Sequence, residues 1–157
     1  MTVSIPFPRH STAGRSGALV SRSAPEFPYR PRTGPVAAAG LLAQAQRGLE
    51  SARREPQPAE RYAVAHLAAL RAAASVLAIR AKPRPGRAKP TSVWVLLANA
   101  APELREWAAF YASGSQRRAQ VQAGITRLVT QRDADDLLRQ TEDFLVLAER
   151  VLHEADR

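Results

Sequence analysis

The residues best suited to chemistry in this chain are an arginine and a histidine with four residues between them, Arg61-Tyr-Ala-Val-Ala-His66. A histidine is a base with a pKa near neutrality, and an arginine can hold a phosphate or stabilise its developing charge. Together they carry what a metal-independent RNase using the ribose 2′-hydroxyl requires. On a helix the two lie five positions apart, about 140° around the axis at roughly 100° per residue, so they converge on one phosphate only within a cleft, such as a dimer seam. The competing reading makes Arg61 a solvated first-turn residue and His66 a half-buried packing residue.

Two other groups of residues invite a chemical reading. Asp133, Asp135 and Asp136 form a carboxylate cluster that could hold a hard metal ion. They also fall in the first turn of a helix, where negative charge stabilises the dipole, and with no partner histidine the dipole reading is preferred and no metal is expected. The second group is Arg80, Lys82, Arg84, Arg87 and Lys89, five cations with no acid among residues 80–90. A polybasic loop of this kind holds phosphates electrostatically and without sequence preference. Its Gly86-Arg-Ala-Lys89 stretch lacks the first glycine and the Lys-Ser/Thr pair of a phosphate loop, and no strand precedes it. Arg117 and Arg118 could extend this patch. No dinucleotide fingerprint, nucleophile elbow or zinc spacing is present, so no cofactor is expected.

These cations explain the overall charge. The 157-residue chain carries a formal +9. Residues 1–34 hold five arginines against Glu26, a net +4, and residues 80–90 supply +5, so the remaining residues sum to zero. A neutral body thus bears two basic appendages, which points to RNA, DNA or another anionic partner. The first 34 residues contain five prolines and three glycines without helical or strand period, and read as a disordered basic tail. No apolar run of roughly 7–15 residues marks a secretory signal, and the most apolar stretch, Arg61 to Ile79, is interrupted by His66 and Arg71, so no membrane span is expected. The absence of cysteine excludes disulfides and thiolate metal sites and fits a cytoplasmic protein.

The elements that must position these residues are helices. Ala38, Leu42, Ala45, Leu49 and Ala52 form one stripe of a helix over about 36–53, started by Pro35 and stopped by Pro56 and Pro58. The second helix, about 59–81, is apolar around most of its circumference, with stripes Ala63-Leu67-Leu70-Ala74-Leu77 and Ala65-Ala69-Ala73-Val76, and belongs at the centre. Ser92 caps a short third helix ending near Ala100. A fourth, about 102–122, places Leu104, Trp107, Ala108 and Tyr111 inward, and Gly114 predicts a kink or break at its middle. Its polar second half, Ser115 to Gln122, reads as a projection beyond the core, and Gly124 as its C-terminal stop. Thr130 and Asp133 are spaced as a capping box for the last helix, about 131–154. Its inward face reads Ala134, Leu137, Leu138, Thr141, Phe144, Leu145, Ala148 and Leu152. The expected fold is all-α, a bundle of four long helices and one short helix over residues 35–157 with a basic loop at 80–90.

The order of these segments, with Ser92-Val-Trp94-Val-Leu-Leu97, Ala101-Pro-Glu-Leu-Arg-Glu-Trp107-Ala-Ala-Phe110 and Asp135-Asp-Leu-Leu-Arg-Gln-Thr-Glu-Asp-Phe144-Leu, resembles the HEPN superfamily of helical bundles, and more narrowly a small actinobacterial branch of it. The resemblance spans about residues 36–152. It implies a homodimer. It also implies one of three roles: metal-independent RNase, nucleotide or nucleic-acid binder, or scaffold. In the RNases of the superfamily the Arg-x4–6-His motif lies late in the bundle. Here that spacing occurs early, at Arg61 and His66, with Tyr62 following the arginine. The implied role is therefore a non-catalytic module that contacts an anion through its loop and tail, with catalysis by Arg61 and His66, or a pure scaffold, as the alternatives.

Overall fold

The computed structural model describes residues 33–82 and 91–157. The tail up to residue 32 and the loop residues Arg84, Arg87 and Lys89 lie outside them. The described residues form five α-helices: α1 (Pro35–Arg54), α2 (Pro58–Arg80), α3 (Val93–Ala100), α4 (Arg105–Gln122) and α5 (Gln131–Ala155), with a 3₁₀ turn at Pro102–Leu104. The described residues contain no strand. The chain is all-α, with four long helices and one short one, as its periodicity predicts.

Local chemistry sets the boundaries. Pro35 and Pro58 stand in the first turns of α1 and α2, where a missing N–H costs nothing. Ser92 Oγ accepts the Trp94 N–H at 3.2 Å and starts α3. At α5 both halves of the capping box form: Thr130 Oγ1 accepts from Asp133 N at 3.1 Å, and Asp133 Oδ2 accepts from Thr130 N at 3.0 Å. Those bonds to Thr130 hold the Asp133 carboxyl below the usual aspartate range. A cap of this type contributes about 1 kcal/mol. Gly124, at φ 90°, turns the chain out of α4.

Every residue of the expected α1 stripe is buried. At the centre of the bundle, α2 packs against all four other helices. Its alanines Ala65, Ala68, Ala69, Ala72 and Ala73 are completely buried, and their small side chains let α1 and α5 approach its backbone closely. The volume they leave is filled from α3, α4 and α5. Trp94 stacks on Tyr111 with ring centroids 4.8 Å apart, and Tyr111 lies 5.2 Å from Phe144. The Tyr111 hydroxyl is within 3.0 Å of Thr141 Oγ1, which satisfies both buried groups. On α5, Val151 takes the buried position and Leu152 is only half-buried.

Two expectations about α4 are corrected. The helix runs unbroken through Gly114. A Cβ there would stand 2.9 Å from the Tyr62 hydroxyl oxygen, so the glycine serves the close approach of α2 and not a bend. The polar second half does not project either: Arg118 is 3 % exposed and Val121 4 %.

Candidate functional site

His66 stands in the interior of α2 with no exposed surface. Its Nε2 donates to the Tyr111 carbonyl at 3.1 Å. Trp94 and Tyr111 meet the imidazole edge-on, with centroids 5.9 Å and 5.8 Å away. Burial pushes its pKa down to about 4, and the nearby Arg118 charge acts in the same direction. At neutral pH the ring is therefore uncharged, and with Nε2 as donor its remaining lone pair is on Nδ1, which is buried. An imidazole so placed is a core hydrogen-bond donor and a weak base.

Arg61 sits one turn into α2. Its Nε donates to the Glu55 carbonyl at 2.9 Å, and its guanidinium pairs with Asp135 on α5. The side chain is 15 % exposed, so it is a brace tying the α1–α2 corner to α5 and not a solvated first-turn residue. Arg61 and His66 share no partner and no common opening. The carboxylates divide in the same manner: Asp133 caps α5, Asp135 pairs with Arg61, and Asp136 pairs with Arg139.

Of the loop cations, Arg80 ends α2 and pairs with Glu103, while Lys82 is exposed. Close by, the Gly34 N–H donates to the Ala78 carbonyl at 2.9 Å. The residue at which the basic tail ends is thus fastened beside the start of the basic loop. Arg117 lies far from Arg80, the described cation at the root of this loop. The Arg117 guanidinium lies 5.9 Å from the centroid of the Tyr62 ring, and Tyr62 is 18 residues before Arg80 on α2, about 27 Å along the axis at 1.5 Å per residue.

Sequence reasoning passed over what Tyr62 and Arg117 do border. Between α2, α4 and α5 lies a cavity of about 210 Å³ walled in part by Tyr62, Ser113, Gly114 and Arg117, with His66 at its inner side. The one signal for it in the sequence was Gly114, which reads as a helix breaker when its neighbour is not visible. A larger groove of about 830 Å³ follows α1 and α5, crossed by the Arg53–Glu142 ion pair at 2.8 Å. One helix among the described residues, α2, is long and apolar enough to cross a membrane, but 72 % of its most apolar window is buried inside the bundle, as befits a central helix.

The described residues form an all-α bundle. Residues 52–149 match the model of the HEPN_SAV_6107-like HEPN family, and the chain belongs to that family. No curated protein and no solved structure matches it.

Proposed function

We propose that this chain is a non-catalytic HEPN module, acting as a homodimer, that holds an anionic partner such as single-stranded RNA or DNA through its basic tail and the loop at 80–90. The observation that supports this reading most is the hydrogen bond from Gly34 to the Ala78 carbonyl. It roots both segments that hold the excess charge at one corner of an otherwise neutral bundle, and clustered charge is what a polyanion requires. The structural duties of Arg61 and His66 support a non-catalytic role.

The test is fluorescence anisotropy with a labelled single strand across a salt series. Each phosphate neutralised on a single strand adds about −0.7 to the slope of log K against log salt. Replacing Lys82, Arg84, Arg87 and Lys89 by alanine is expected to remove about 3 from that slope and most of the affinity. Arg80→Ala should have a smaller effect on binding, because its charge is already matched by Glu103. Undetectable binding at low salt would refute the proposal. The alternative, an RNase using Arg61 and His66, is tested on the same material: RNA incubated with wild-type protein in EDTA is expected to stay intact, and cleavage lost in a folded Arg61→Lys variant would reinstate catalysis.

A further inference from the structure

The cavity beside Gly114 is remote from the basic corner, and none of its lining residues is acidic. Its cation is Arg117, 46 % exposed at the side chain, with its head over the Tyr62 ring. The Asp133 carboxylate that faces it stands 3.9 Å away, beyond hydrogen-bond range. That same oxygen, Oδ2, accepts the Thr130 N–H in the cap of α5, so the cap holds it back from the guanidinium. The Tyr62 hydroxyl borders the same space and, as a phenol, carries its proton at neutral pH; burial raises its pKa further, against the opposing charge of Arg117. Ser113 Oγ now donates to the Phe110 carbonyl at 2.7 Å, and a hydroxyl can rotate to a better acceptor. Gly114 adds no side chain, which lets the Tyr62 hydroxyl come close to α4, 2.9 Å from where a Cβ would stand.

We propose that this cavity is a binding site for one phosphate group, held by the Arg117 guanidinium with the Tyr62 and Ser113 hydroxyls as further donors. The chemistry follows from the lining: three donors, one of them charged and fork-shaped as phosphate oxygens prefer, and no carboxylate in the wall. The size agrees. About 210 Å³ is less than the roughly 300–1,000 Å³ of pockets that enclose drug-sized ligands, yet several times the ~30 Å³ of a water. The group is either free phosphate or the phosphate of a small monoester. The site does not depend on the loop or the tail.

The test is NMR of the full chain, following the Gly114 amide and the Arg117 side-chain N–H during titration with inorganic phosphate and, separately, with a 5′-mononucleotide, at ionic strength held constant with chloride. Saturable shifts are expected with at least one of them. Equal affinity assigns the site to free phosphate, and tighter nucleotide binding assigns it to a phosphomonoester. Arg117→Gln should weaken binding about tenfold or more, the scale of a lost charge-assisted hydrogen bond. Asp133→Asn, which removes the competing charge and keeps a capping side chain, should tighten it several-fold. The loop variant described above should bind as wild type, so failure of the loop reading and failure of this one are distinguishable. Shifts that never saturate, or that persist unchanged in Arg117→Gln, overturn the proposal.

Discussion

Lowering the pH from 7 to 4.5 is expected to cost the fold about 2 kcal/mol through His66 alone. The imidazole is held neutral with a pKa of about 4, whereas an unfolded histidine titrates near 6.5. Between these values the unfolded chain binds a proton that the native chain refuses. Stability is therefore full above about pH 6.5 and falls as the pH drops towards 4. The complete effect, at about 1.4 kcal/mol per pKa unit, is about 3 kcal/mol, a large part of the 5–15 kcal/mol typical of a domain. Asp133 and Glu103 also have depressed carboxyl pKa values, Asp133 through its bonds to Thr130 and Glu103 through its own backbone N–H. Their contributions are lost mainly below about pH 4.5, as each carboxylate protonates, so most of the dependence between 6.5 and 4.5 belongs to the histidine. Urea unfolding at both pH values measures the effect. His66→Gln keeps a donor for the Tyr111 carbonyl but cannot titrate. It should be about 2 kcal/mol less stable than wild type at pH 7, from lost ring packing, with the dependence between pH 7 and 4.5 largely gone. Equal pH dependence in the two proteins would contradict the assignment. The same burial bears on catalysis: His66→Ala opens the core and Arg61→Lys loosens the brace to Asp135, so lost activity in either identifies a catalytic group only where circular dichroism shows the fold retained.

The helices were legible because their signals are local. The proline starts, the Ser92 and Thr130–Asp133 caps and the alanine-leucine stripe of α1 each depend on residues within a turn or two of one another, and each appears in the structure. The roles of Arg61, His66, Gly114 and Arg118 were not legible, because each is decided by a residue 45 or more positions away or by burial at the centre of the bundle. Arg61 reads as solvated until Asp135 is placed beside it, 74 residues on. His66 reads as a possible base until the Tyr111 carbonyl, 45 residues away, takes its N–H and the aromatic rings close over it. The two basic segments were plain from composition, but that they start from one corner required the Gly34–Ala78 bond. A single sequence shows which residues can do chemistry. Whether they are free to do it depends on partners brought together by packing.

Gly114 shows how far such a partner can reverse a local rule, and the reversal is measurable. In an exposed helix interior, glycine to alanine stabilises by about 1 kcal/mol. Here the new Cβ would meet the Tyr62 hydroxyl oxygen at 2.9 Å, while its next contacts, to the His66 ring, are ordinary at 3.6 Å and 3.7 Å. Tyr62 is 6 % exposed, beneath the Arg117 guanidinium, so its ring cannot retreat without disturbing α2 or α4. Overpacking of this kind costs about 1–3 kcal/mol, which outweighs the gain in helix propensity, and Gly114→Ala is expected to destabilise by about 1 kcal/mol. The conflict lies with a single oxygen atom. In a Tyr62→Phe background that atom is gone, and the same Gly114→Ala change should stabilise by about 1 kcal/mol, a coupling of about 2 kcal/mol in a double-mutant cycle. Denaturant midpoints of the four proteins give the answer. Additive effects would mean that Gly114 is there for another reason. A sign change would establish that the continuous α4 keeps its glycine for the tyrosine of α2.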